Sequence, residues 1–148
     1  MRARPVNSLP ACLRRLLRAT ARSFYLTLQV LPQAVRPQIG LAYLLARTAD
    51  TIADTEVLPV EHRLRALAEF RDWLLGRRHD PPDFELFRRH QGDIPECELL
   101  RRSGEAIALL NRFSSADQGH IRRVLETILS GQELDLRRFA PPDAGGDL

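Results

Sequence analysis

"RPQIGLAYLLARTADTIADTE", residues 36–56, spaces its apolar residues three and four apart and ends on two aspartates separated by one helical turn. That spacing, with no period-two alternation, predicts a long α-helix over about residues 33–54, with Pro37 tolerated in its opening turns. At 100° per residue, Tyr43, Arg47, Asp50 and Asp54 fall at about 0°, 40°, −20° and 20°, so the four share one face within an arc of about 60°. Asp50 and Asp54 then stand about 6 Å apart along the axis, close enough for both carboxylates to hold divalent cations that also touch an anionic third group.

Helical spacing continues on both sides of this stretch. A first helix is predicted around residues 8–20, with Pro10 in its opening turn and Leu13, Leu16 and Leu17 on one side. Ser23 is the expected cap of a short second helix carrying Phe24, Leu26, Leu28, Val30 and Leu31, stopped by Pro32. Pro59 opens a fourth helix whose stripe is Leu64, Leu67, Ala68, Phe70, Trp73 and Leu74, with Gly76 as its stop. A short helix near 83–90 and a longer one near 95–112 follow. Ser115 with Gln118 resembles a capping box for a last helix ending at Ser130 and closed by Gly131. Six to seven helices joined by short loops predict an all-α bundle over residues 1–139, and the Pro- and Gly-rich residues 140–148 read as a disordered tail.

Composition excludes several alternatives. The chain has 148 residues, 44% hydrophobic and 28% charged, which is enough apolar content for a packed core. All 22 basic residues are arginine, and 19 acids leave a net charge of only +3, with arginine pairs spread along the sequence, so no nucleic-acid partner is expected. Cys12 and Cys97 sit apart from each other and from any histidine at ligand spacing, so neither a disulfide framework nor a zinc site is readable. His62, His79, His90 and His120 likewise read as surface residues. With no secretory leader and no apolar run of membrane-spanning length, the chain reads as soluble and cytoplasmic.

The stripe on the central helix goes against local stability. Like charges at i and i+4 cost a few tenths of a kcal/mol, and acids at a helix C-terminus oppose its dipole by about 0.3–1 kcal/mol. An isolated DxxxD is common by chance as a solvated helix end, but a doubly unfavourable one beside Arg47 and Tyr43 suggests a site. Magnesium is the natural ion, since it takes few carboxylates and completes its octahedron with water and phosphate oxygens. Arg47 could reach the same phosphates through its planar fork, with Tyr43 as a pocket wall.

With these residues in view, the sequence resembles the squalene and phytoene synthase family of head-to-head isoprenoid synthases. "RSFYLTLQVLP" at 22–32 is similar to that family's SRSF segment, residues 36–56 to its Y-x3-R-x2-D-x3-D helix, and "SGQELDLRRF" at 130–139 to its middle region. The resemblance implies a partial isoprenoid-synthase-type helical bundle in which Asp50 and Asp54 hold Mg2+, Arg47 contacts diphosphate, and Ser23, Phe24 and Tyr43 line the substrate site. Tyr43 and Arg47 are the catalytic candidates. The substrate implied is farnesyl or geranylgeranyl diphosphate, two molecules of which condense 1′-1. Squalene formation by way of presqualene diphosphate is the preferred outcome, with NADPH as reductant if squalene is the product, and phytoene or dehydrosqualene synthesis is the alternative.

One departure stands out. The family's second aspartate-rich motif lies well downstream of the GQELDL region, and the one DxxxD after Asp54, Asp143 to Asp147, falls in the Pro- and Gly-rich stretch read as a tail. The expectation is therefore a chain truncated before that motif, equivalent to the N-terminal part of such an enzyme. Its activity alone is in doubt, and a complementary C-terminal half chain and peripheral contact with the inner membrane face are further expectations. A non-catalytic helical binding protein is the competing class.

Overall fold

The computed structural model describes residues 8–92 and 94–139, and among them every regular element is a helix. In chain order these are α1 (Ala11–Thr20), α2 (Arg22–Leu28), α3 (Arg36–Ala53), α4 (Val60–Leu74), α5 (Glu85–Arg89), α6 (Ile94–Arg101), α7 (Ser103–Leu110) and α8 (Ser115–Phe139). The all-α expectation holds. Among the described residues the helices number eight, because the stretch expected as one helix near 95–112 breaks at Arg102. There the Ser103 hydroxyl donates to the Leu100 carbonyl at 2.8 Å, competing with the backbone for that acceptor.

Two helix ends follow the sequence and others depart from it. Gly76, at φ +80, ends α4 with the paired bonds of a Schellman turn, Gly76 N–H to the Trp73 carbonyl at 3.2 Å and Arg77 N–H to the Asp72 carbonyl at 2.8 Å. Pro37 sits in the first turn of α3, where its missing N–H costs nothing. By contrast, Ser23 does not cap α2; Ala21 precedes the helix, and no side chain bonds its free N–H groups. The α8 cap is Ser114, whose hydroxyl accepts from Asp117 N–H at 3.1 Å, while Gln118 turns back to donate to the Phe113 carbonyl at 2.8 Å. Gly131 does not stop α8, which runs on to Phe139. A mid-helix glycine costs about 1 kcal/mol, and the two residues after it are tied down by partners on other helices. The expected tail at 140–148 lies outside the described residues.

Helix α3 is the centre of the bundle, packed by α2, α4, α6, α7 and α8. Leu41, Leu44, Leu45, Ala49 and Ile52 on it are at most 1% exposed. They meet Leu67, Phe70 and Leu74 of α4 and Leu125 and Leu129 of α8, all fully buried, within one continuous core. Leu64 and Ala68, expected in the α4 stripe, stand half-buried and exposed instead, and Ala66 takes a buried place there.

Close approach of α1 and α2 to α3 depends on Gly40. A Cβ there would meet Leu9 Cδ1 at 2.9 Å and Leu17 and Leu28 methyls at 3.4 Å. Gly40→Val adds two further carbons to that contact, and overpacking of this kind costs about 1–3 kcal/mol. We expect a matching loss in urea unfolding, and an unchanged midpoint would show that these three helices do not meet at Gly40.

Candidate active site

The α3 face bearing Tyr43, Arg47, Asp50 and Asp54 is assembled as the spacing predicts, and Tyr43, Arg47 and Asp50 each acquire a partner from another helix. Tyr43 stacks on Phe24 of α2 with ring centroids 4.2 Å apart and planes 15° from parallel, both rings half-buried. This stack fixes one wall of the site. Ser23, one residue earlier, is exposed.

Arg47 does not point free toward an anion. Its Nη2 donates to Glu96 Oε1 of α6 in an ion pair, and the Thr51 hydroxyl donates to the other Glu96 oxygen. The same hydroxyl lies 3.0 Å from the Arg47 carbonyl, so arginine, threonine and glutamate form one small network on the α3–α6 boundary. Glu96 was not foreseen. It lies 49 residues from Arg47, in a stretch with no spacing signal, and only the packing of α6 against α3 brings it there.

Asp50 is half-buried and accepts from Gln132 Nε2 of α8 through Oδ1. Burial raises its pKa above the ordinary aspartate value, and the Asp54 charge raises it further; Arg47 and the Gln132 bond pull it down, and Glu96 pushes it up again. Asp54 is exposed at the C-cap of α3, yet its N–H still donates to the Asp50 carbonyl at 2.8 Å, which keeps the two aspartates one turn apart. Gln132 was legible only in part, since it falls in the GQELDL stretch without being picked out there. Its position follows from the continuation of α8 past Gly131. The next residue, Glu133, is buried and pairs with Arg71 of α4 at 2.7 Å, pinning that turn.

The donor set suits magnesium. Among the described residues no group of three or more His, Cys, Asp or Glu is placed to hold a metal, so a closed zinc or calcium cage is not built here. Two neighbouring carboxylates that repel one another, with more positions left to water and phosphate, are what magnesium uses. Beside them the Gln132 amide oxygen is buried with no hydrogen-bond partner among the described residues, a hard donor on the residue that bonds Asp50. The four histidines expected at the surface are all exposed, and Cys12 and Cys97 are free thiols.

An all-helical bundle whose central helix carries an aromatic, an arginine and two aspartates on one face defines an isoprenoid-synthase type of protein. The chain belongs to the squalene/phytoene synthase family, whose family model matches residues 17–145. Among solved structures, the complex of the squalene synthase TcSQS with the ligand E5700 is similar at a TM-score of 0.71 and 28% identity. That match covers 86% of this chain and 35% of the other, so the chain spans about a third of the neighbour's length. A comparison with curated proteins finds no match. Among the described residues no helix is long and apolar enough to cross a membrane.

Because the folded chain raises the Asp50 pKa, its folded state holds that proton more tightly than the unfolded chain does. The contribution is therefore intact below the ordinary aspartate range and is lost as pH climbs through the raised value. Asp50→Asn removes the charge that is disfavoured at pH 7, and we expect it to stabilise the fold there by up to about 1 kcal/mol, after screening of a half-exposed group. The gain should fade toward pH 3 in thermal melts, and a variant less stable at pH 7 would show that the Gln132 bond outweighs the burial and repulsion.

Proposed function

We propose that this chain carries the first carboxylate half of a magnesium-dependent prenyltransferase site for head-to-head, 1′-1 condensation of two prenyl diphosphates. Farnesyl diphosphate is the substrate, and presqualene diphosphate, then squalene, the products. The observation that carries this reading is the single α3 face on which Asp50 and Asp54 stand a turn apart, below Arg47 and the Phe24–Tyr43 stack. Family membership and the solved neighbour support it.

Asp50 and Asp54 would hold Mg2+, which when bound neutralises the diphosphate and makes it a competent leaving group. The chain's own residues do the rest. Gln132 orients Asp50 by donating to Oδ1, leaving the second carboxylate oxygen for the ion. Arg47 offers a planar fork for diphosphate oxygens and is kept in place by Glu96 until an anion competes for it. The Phe24–Tyr43 stack supplies an apolar wall for the prenyl chain and a π-face near the allylic carbon. Such a face stabilises a developing cation by about 0.5–2 kcal/mol. As the C1–O bond breaks, its electron pair leaves with diphosphate, and the double bond of the second prenyl group attacks the allylic cation, which then loses a proton. A second carboxylate cluster is required for the second diphosphate, and we assign it to a complementary segment or chain outside the described residues. NADPH would serve as hydride donor for the reduction to squalene.

Calorimetric titration with a non-hydrolysable farnesyl diphosphate analogue tests this. We expect binding that requires Mg2+ and that weakens at least about 100-fold in Asp50→Ala and Asp54→Ala, since each removes a metal ligand. Equal binding with and without Mg2+, or none at all in the folded protein, would sink the reading and favour a helical binding protein that keeps the family helix only as scaffold.

A further inference from the structure

Arginine pairs are scattered along the chain as a whole, but the acids are not: no Asp or Glu precedes Asp50. The fold gathers part of this uncompensated charge. A cavity of about 500 Å³ lies between α1, α2 and the first turn of α3, lined by Arg14, Arg15, Arg18 and Arg36 together with Tyr25 and Gln29. Among the described residues no acid lines it. Arg36, at the opposite end of α3 from Asp50, stands about 21 Å from it along the axis at 1.5 Å per residue, so the cavity is separate from the carboxylate site.

Two of the four guanidinium groups are already fixed. Arg36 Nε donates to the Leu31 carbonyl at 2.8 Å and its Nη2 to the Gln29 carbonyl at 2.7 Å. Arg18 lies over the Tyr25 ring, 5.1 Å from its centroid. Among the described residues Arg14 and Arg15 have no ion pair, and both are exposed. Four like charges around one hollow repel one another, and the arrangement gains most from a multivalent anion. Guanidinium groups bind phosphate oxygens in bidentate fashion, and the volume exceeds what a simple monovalent anion needs.

We propose that this cavity is a phosphate-group site independent of magnesium. Arg14 and Arg15 close on the anion from α1, while Arg18 and Arg36 form a preset floor. Two sources carry that chemistry: a soluble diphosphate, and the phosphate headgroup of an anionic lipid. On α2 and the turn after it, Leu26 and Val30 are 62% and 81% exposed, apolar side chains on the element that forms one wall of the cavity.

The test keeps EDTA present throughout, so that the Asp50–Asp54 site cannot contribute and failure here leaves the proposed function standing. One arm titrates the whole chain with inorganic pyrophosphate, and the other floats it with phosphatidylcholine vesicles with or without phosphatidylglycerol. The variant is Arg14→Gln/Arg15→Gln/Arg18→Gln. The control is Arg65→Gln/Arg112→Gln/Arg123→Gln, which removes the same charge from exposed positions elsewhere. We expect at least a tenfold loss in the cavity variant, and less than twofold in the control. Loss in the pyrophosphate arm identifies a soluble anion, and loss confined to phosphatidylglycerol vesicles identifies the lipid. No binding in either arm, or an equal loss in the control, overturns the proposal. Should the triple variant melt early, Arg15→Gln alone serves as the readout, with a loss of about threefold.

Discussion

Helix α3 has to satisfy two demands with one set of eighteen residues. Its buried side, from Leu41 to Ile52, is the floor against which α4, α7 and α8 pack, so the helix cannot shift or rotate without emptying the core. Its other side carries two like charges at the C-terminal end, where helix dipole and mutual repulsion both work against them. The first demand makes the second bearable. Repulsion of a few tenths of a kcal/mol can fray a free helix end, but not one whose preceding turns are locked between neighbours. Everything at the candidate site follows from this rigid placement, because the positions of Tyr43, Arg47, Asp50 and Asp54 are set by the core and not by their own contacts.

The partners that the fold supplies are unequal in kind. Gln132 brings a neutral donor to Asp50 and lowers the cost of its charge without cancelling it. A lysine or arginine in the same place would have quenched the carboxylate and displaced a cation. Arg47, by contrast, meets a full negative charge in Glu96. Among the described residues neither aspartate forms an ion pair, whereas the arginine is held by one. Pairing also explains how a half-buried guanidinium is tolerated beside an apolar aromatic stack, since an unpaired charge there would carry the full desolvation penalty.

How much of this could be read from the sequence depended on distance along the chain. The α3 stripe was legible because a helix converts spacing directly into geometry, and the Gly76 stop because only a positive φ makes the Schellman turn there. Glu96 was invisible, since nothing within α6 marks which of its acids will face α3. The stretches around Arg102 and Gly131 misled in opposite directions. A helix that looked continuous breaks at Arg102, and a glycine that looked like a stop was overridden by the Arg71–Glu133 pair and the Asp50–Gln132 bond on either side of α8. Local preference near 1 kcal/mol decides an outcome only where tertiary contacts are silent.

That override has a functional side. Had α8 ended at Ser130 as its sequence suggests, Gln132 would have had no fixed position and Asp50 would have faced water on that flank. The extra turns of α8 therefore change the electrostatics of the aspartate pair as well as the packing. They exclude solvent from one side of Asp50, which raises the cost of its charge, and they return a single hydrogen bond, which repays only part of that cost. The remainder stays as a raised affinity of Asp50 for a proton, and it is the packing of α8 on α3, together with the neighbouring Asp54 charge, that creates it.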